Sequence, residues 1–236
     1  MSAQLQAKQD TEQIDSLILT LIIPGTCGMG CEFCIIDHLE EEQGKHILTP
    51  DDYGRFISEI HAVHFVAAVC IQGREPTNPQ SMPYTERILA CAHECSRPSS
   101  FVTNGLWLAQ HAEQLVATPP GKIAVSIDSG LPEEHNRIRK NPRAFARAVE
   151  GIRAVQNVLP ETGLNVTSVY QPNGRHFLES MPQLLKELGI QGWSINVQIT
   201  PGSESFGGPT QADEQCFRDL VSLYRLACDH GLSCFV

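Results

Sequence analysis

Cys27-Gly28-Met29-Gly30-Cys31-Glu32-Phe33-Cys34 follows an apolar run, Leu17 to Ile23, that stops at Pro24-Gly25. The run has the length and composition of a buried strand, and the cysteine stretch leaves its carboxyl end as a loop. Gly28 and Gly30 let that loop take positive φ and wrap closely around something compact. Three thiolates spaced x3 then x2 suit three corners of an iron-sulfur cluster, whose usual ligands are cysteines. A cubane held by three cysteines keeps one iron open. Zinc is the competing occupant, with His38 completing a closed Cys3His site.

Working outward, the chain repeats one unit. After the strand at 17–23, Thr49-Pro50-Asp51-Asp52 signals a helix start: an N-cap, a proline at the first turn and acids beside the helix dipole. That helix runs to about residue 63. Buried strands are predicted at 66–71, 100–103, 122–127, 164–170 and 193–199, with helical segments between them near 83–95, 106–116, 145–152 and 184–188, the last stopped by Gly189. A final helix over 213–230 stops at Gly231. Six strand-then-helix units in alternation predict an α/β fold, a parallel sheet with helices packed outside it. In such folds ligands bind at the carboxyl ends of the strands.

The 236 residues, 42% hydrophobic, suffice for one sizeable core at 16–231 after a polar leader at 1–15. A formal net charge of −10 argues against a nucleic-acid backbone or an anionic membrane as main partner, since either needs a cationic footprint. No apolar span of membrane length and no secretory signal are present, so a cytoplasmic protein is expected. Of nine cysteines, six are scattered, with Cys70, Cys91, Cys95, Cys216, Cys228 and Cys234 mostly at apolar positions. Free thiols in a reducing compartment account for them.

The Cys-x3-Cys-x2-Cys spacing with Phe33 before the last cysteine resembles the signature of radical S-adenosylmethionine (SAM) enzymes. In that family SAM chelates the open iron, and an electron from the cluster cleaves it to methionine and a 5′-deoxyadenosyl radical, which takes a hydrogen atom from the substrate. Later motifs extend the resemblance over about residues 16–232. Gly73-Arg74-Glu75-Pro76 is similar to the family's Gly-Gly-Glu-Pro after the second strand, which implies a site for the SAM amino group with Glu75 supplying charge. Arg74 stands where the family has a second glycine, which bears on any positive φ there. Thr103-Asn104-Gly105 and Val125-Ser126-Ile127-Asp128 match the ends of the third and fourth strands, the latter in the branch of the molybdenum-cofactor cyclase and peptide-modifying maturases. By that resemblance Ser126 holds the SAM carboxylate or ribose together with an arginine, Arg147 being preferred to Arg139 on spacing. His135 reads as a capping or surface residue. Gln198 and Asn196 are read as amides facing a polar lumen or else a neighbouring helix, and the glycine-rich loop at 202–208 offers Glu204 to a substrate.

The resemblance implies a partial parallel (β/α)6 TIM-like barrel with a [4Fe-4S] cluster on Cys27, Cys31 and Cys34, bound SAM and a reducing partner such as flavodoxin or ferredoxin. The expected substrate is a small polar metabolite of sugar or aminocyclitol type, with peptide modification as the alternative. Outside the class stands a non-catalytic zinc-binding interaction module. Residues 232–236 read as the start of a further strand, and the lack of a cysteine-rich extension implies either a sequence cut short or an enzyme with a single cluster. Cys234 is expected at the barrel mouth as a hydrogen-atom donor, or else as a buried small hydrophobe.

Overall fold

A computed structural model describes residues 16–31, 33–34, 48–171, 174–198 and 211–236. The leader, His38, Ile199 and the loop with Glu204 lie outside the described residues. The elements are β1 (Leu17–Ile23), α1 (Pro50–Val63), β2 (Val66–Gly73), α2 (Met82–Glu94), β3 (Ser99–Thr103), α3 (Leu108–His111), β4 (Lys122–Ser126), α4 (Pro132–Arg139), α5 (Ala144–Val158), β5 (Gly163–Tyr170), α6 (Arg175–Leu178), α7 (Met181–Glu187), β6 (Gly192–Val197), α8 (Gln211–Asp229) and β7 (Ser233–Phe235). The seven strands form one sheet in chain order, β1 to β7, and every neighbouring pair is parallel. It is a partial TIM-like barrel, open between its first and last strands. The six expected units are present, and the strand expected at 232–236 pairs with β6 as a seventh.

Local chemistry sets these boundaries. Thr49 and Asp52 form a reciprocal capping box at the start of α1, with Pro50 in the first turn. Gly189 and Gly231 take φ of +68° and +72° where α7 and α8 stop. Alternation along the strands then divides the sheet into two faces. One face packs Leu21, Ile71, Phe101, Ile123, Val166 and Trp193 against helix residues such as Ile57, Ile88, Ile152 and Leu223. Trp193 is fully buried, and its indole N–H donates to Ser168 Oγ at 2.9 Å. The other face carries no helix among the described residues: mostly polar at β4 to β6, it presents the exposed apolar side chains of Ile18, Ile22 and Val102 toward β1 and β3. One row across it runs Ser126, Thr167, Ser194 and Phe235.

This parity corrects one expectation. Cys234 pairs in register with Trp193, in the row of Val125 and Val166, so its thiol packs against the helix-side core and feels Cys228 of α8. It does not open onto the helix-free face, where a hydrogen donor would have to stand; it is half-buried, and burial raises its thiol to about 11. Val197, at the carboxyl end of β6, is 46% exposed. No helix among the described residues is long and apolar enough to cross a membrane.

Candidate functional site

The loops leaving β1, β2, β3 and β4 meet around the cysteines. Asn104, just past β3, donates from its amide nitrogen to the Cys27 carbonyl at 3.1 Å and to Cys27 Sγ at 3.2 Å. Its other amide atom, Oδ1, accepts from Leu106 N at 2.8 Å, which holds the side chain in this orientation. Asn141 donates to the Gly28 carbonyl at 2.9 Å, Asn78 to Thr26 Oγ1 at 3.0 Å, and Gly30 N to the Arg139 carbonyl at 3.1 Å. Gly28 has φ +74°, and a Cβ there would fall 2.7 Å from the Trp107 ring. Gly30, also expected to need positive φ, does not take it; a Cβ there would only press on the Lys140 side chain at 3.4 Å.

Gly73 has φ +130°, and an added Cβ would lie 2.6 Å from the Ile23 carbonyl oxygen, so strands β1 and β2 close together only over a glycine. Arg74 is outside the positive-φ region, so no second glycine is required. Glu75 has no solvent exposure. Its Oε1 accepts from Thr77 N at 3.0 Å and from the hydroxyls of Thr77 and Thr103, and its Oε2 accepts from Asn104 N at 2.7 Å. Burial raises its pKa and the four donors oppose that shift. The charge offered to SAM by the sequence reading is thus engaged inside the protein, tying the β2 loop to β3. Pro76 is buried, and its carbonyl accepts from Thr85 Oγ1 at 2.8 Å.

Past β4, Asp128 is 1% exposed. Its Oδ2 accepts from Arg139 Nε at 2.5 Å, its Oδ1 from Val169 N at 2.9 Å, and its own N–H donates to His135 Nδ1 at 3.0 Å. His135 is therefore buried, at 0% exposure, and not on the surface. Accepting at Nδ1 fixes its neutral form with the proton on Nε2, and burial lowers its pKa to about 4. The Arg139 guanidinium reaches toward Cys31 Sγ at 3.9 Å and lies 5.3 Å from the centre of the Phe33 ring. Burial disfavours its charge, but Asp128 and the thiols outweigh that and move its pKa up. Arg147, preferred on spacing, instead bonds Glu150 on its own helix at 2.7 Å. Ser126 is 7% exposed on the helix-free face. Gln198, just past β6, is half-buried and is tied by its N–H to the Tyr170 carbonyl at 2.9 Å. Asn196 donates to Thr167 Oγ1 at 2.8 Å on the same face.

Sequence reasoning passed over Asn141, Asn78 and Thr77, and placed His135 at a cap or on the surface. An available signal was Pro132-Glu133-Glu134, a proline and acids that open the short helix α4 and aim both His135 and Arg139 inward.

These residues fit a cluster. Cys27, Cys31 and Cys34 are free and half-buried, and N–H donors from Asn104 and Arg139 face two of the sulfurs, as anionic ligands require. Without metal, burial raises the thiols of Cys27 and Cys31, the latter to about 11, so binding must expel protons. Among the described residues no three His, Cys, Asp or Glu side chains converge closely enough for a single ion.

An open parallel sheet with helices on one face and a three-cysteine loop at its strand ends defines a cluster-binding partial barrel. The chain matches the radical SAM superfamily over residues 21–181 and belongs to that family, whose enzymes use a [4Fe-4S] cluster and SAM. It is 26% identical over 184 residues to the GTP 3′,8-cyclase of Rhizobium leguminosarum, covering 76% of this chain and 50% of that protein. It is 26% identical over 190 residues to the probable GTP 3′,8-cyclase of Pyrobaculum aerophilum, covering 76% and 60%. The chain thus spans about half the length of the curated relatives it matches. Among solved structures, Streptococcus suis SuiB bound to SAM superposes with TM-score 0.69 at 17% identity, covering 93% of this chain and 50% of SuiB. The anSMEcpe protein with bound SAM and a peptide gives 0.71 at 16%, covering 93% and 63%.

Proposed function

We propose that the protein is a radical SAM enzyme acting on a small polar, hydroxyl-bearing metabolite. The observation that carries this is the convergence of Asn104 and Arg139, from the loops after two other strands, on the cysteine loop. The bound cofactors would supply reductive cleavage of SAM to methionine and a 5′-deoxyadenosyl radical. The chain's residues would hold and orient: Cys27, Cys31 and Cys34 carry the cluster, while backbone at Gly73 to Pro76, with Asn104, Ser126, Asp128 and Gln198, borders SAM. The electron would come from flavodoxin or ferredoxin in the cytoplasm.

The helix-free face speaks to the substrate. Ser126, Thr167, Ser194, Asn196 and Gln198 offer hydroxyls and amides, the donors and acceptors that orient a polar molecule. The described strand residues of this face include no carboxylate to pair with a cationic aminocyclitol, and Lys122 sits at the amino end of β4, away from Ser126. That lining favours a sugar or nucleoside over a cationic aminocyclitol, and the matched relatives are named for a nucleotide reaction. A peptide substrate is favoured by a different observation, the apolar edges of the same face, where Ile18 is 66% and Phe235 62% exposed.

The test is anaerobic reconstitution with iron and sulfide, then dithionite and SAM with sugars, nucleotides or peptides. Release of 5′-deoxyadenosine, increased by one substrate class, is expected. No nucleoside together with stoichiometric zinc would support the non-catalytic module instead.

A further inference from the structure

Arg139 is bound to the cysteine loop twice: its carbonyl accepts from Gly30 N at 3.1 Å and its guanidinium faces Cys31 Sγ at 3.9 Å and the Phe33 ring. Its side chain is only 10% exposed and that of its partner Asp128 only 1%. A buried ion pair of this kind is weak evidence for stability, because desolvation offsets most of the attraction. Its placement suggests another use. Asp128 is itself fixed from two sides, by Val169 N of β5 and by His135 Nδ1. The guanidinium is thereby held against a cysteine sulfur in a water-poor place, where a charge acts strongly.

We propose that Arg139 sets the reduction potential of the cluster on Cys27, Cys31 and Cys34, and that Asp128 and His135 are positioning residues for it. This rests on the functional reading above. A cation and N–H donor at a ligand sulfur stabilise the more negative, reduced cluster and so raise its potential. His135 touches neither the cysteines nor Arg139 directly in hydrogen bonding; it acts by holding the Asp128 backbone through an acceptor nitrogen.

The experiment is a redox titration of the reconstituted full chain, followed by the electron paramagnetic resonance of the reduced cluster. At the wild-type midpoint, Arg139→Gln is expected to lower the ratio of reduced to oxidised cluster about tenfold, about 59 mV for a one-electron couple. Arg139→Lys, which keeps the charge, should lose less than half of that on a logarithmic scale. His135→Phe, which removes the acceptor, should move the midpoint in the same direction as Arg139→Gln, and His135→Asn, which keeps an acceptor, should restore it. An unchanged midpoint in Arg139→Gln at full iron content overturns the proposal. Should Arg139→Gln fail to hold iron, an unmoved midpoint in His135→Phe overturns it as well. A wild-type chain that shows no reduced-cluster signal sinks the functional reading itself, a separate result.

Discussion

At the scale of single residues, the chain spends its most constrained positions on closing the strand-end loops. Gly73→Ala would force a side chain into positive φ and against the Ile23 carbonyl, a cost of roughly 2–4 kcal/mol. A matching fall in the urea midpoint at unchanged m-value checks it. His135 makes a pH prediction. Its folded pKa of about 4 lies below the ordinary 6.5, so it is neutral in the fold and charges first in the unfolded chain. The stability it contributes is full above pH 6.5 and is lost as pH falls toward 4. Between pH 7 and 5 the loss is roughly 2 kcal/mol, and His135→Asn should show a correspondingly shallower fall in denaturant midpoint. The motif residues Cys27, Gly73 and Asn104 were legible because spacing and residue type announced them. His135 was not, since burial of a lone histidine comes from the packing of α4 on the sheet. The same limit explains Arg147: spacing counts residues, whereas only the turn of α4 shows that Arg139 faces inward.

At the scale of elements, caps and stops read cleanly from sequence while the direction of side chains did not. Thr49→Ala removes one half of the capping box of α1 and should cost about 1 kcal/mol, lowering the melting midpoint by about 2–4 °C for a domain of this size. The strand of Cys234 was predicted, but its face was not, because parity is fixed only when Cys234 pairs with Trp193. Cys234→Ala is therefore expected to leave the yield of 5′-deoxyadenosine and the product stereochemistry as in wild type, measured by chromatography of a full turnover. A change in stereochemistry would return the thiol to the chemistry.

For the whole molecule, alternation of strand and helix fixed the class of fold, and the parallel order β1 to β7 brings four consecutive loops to one edge. The expectation that glycine and polar residues at strand ends form one rim followed from this alternation. The hydrogen bonds that join the loops did not, since Asn104 to Cys27 spans 77 residues and Asn141 to Gly28 spans 113. In the proposed enzyme three cysteines leave one iron of the cluster open to SAM. The most direct measurement is the electron paramagnetic resonance of the anaerobically reconstituted, reduced protein before and after SAM is added. A reduced four-iron signal is expected, lost in Cys31→Ala and changed in shape on SAM addition. A signal indifferent to SAM, or stoichiometric zinc in place of iron, would contradict it.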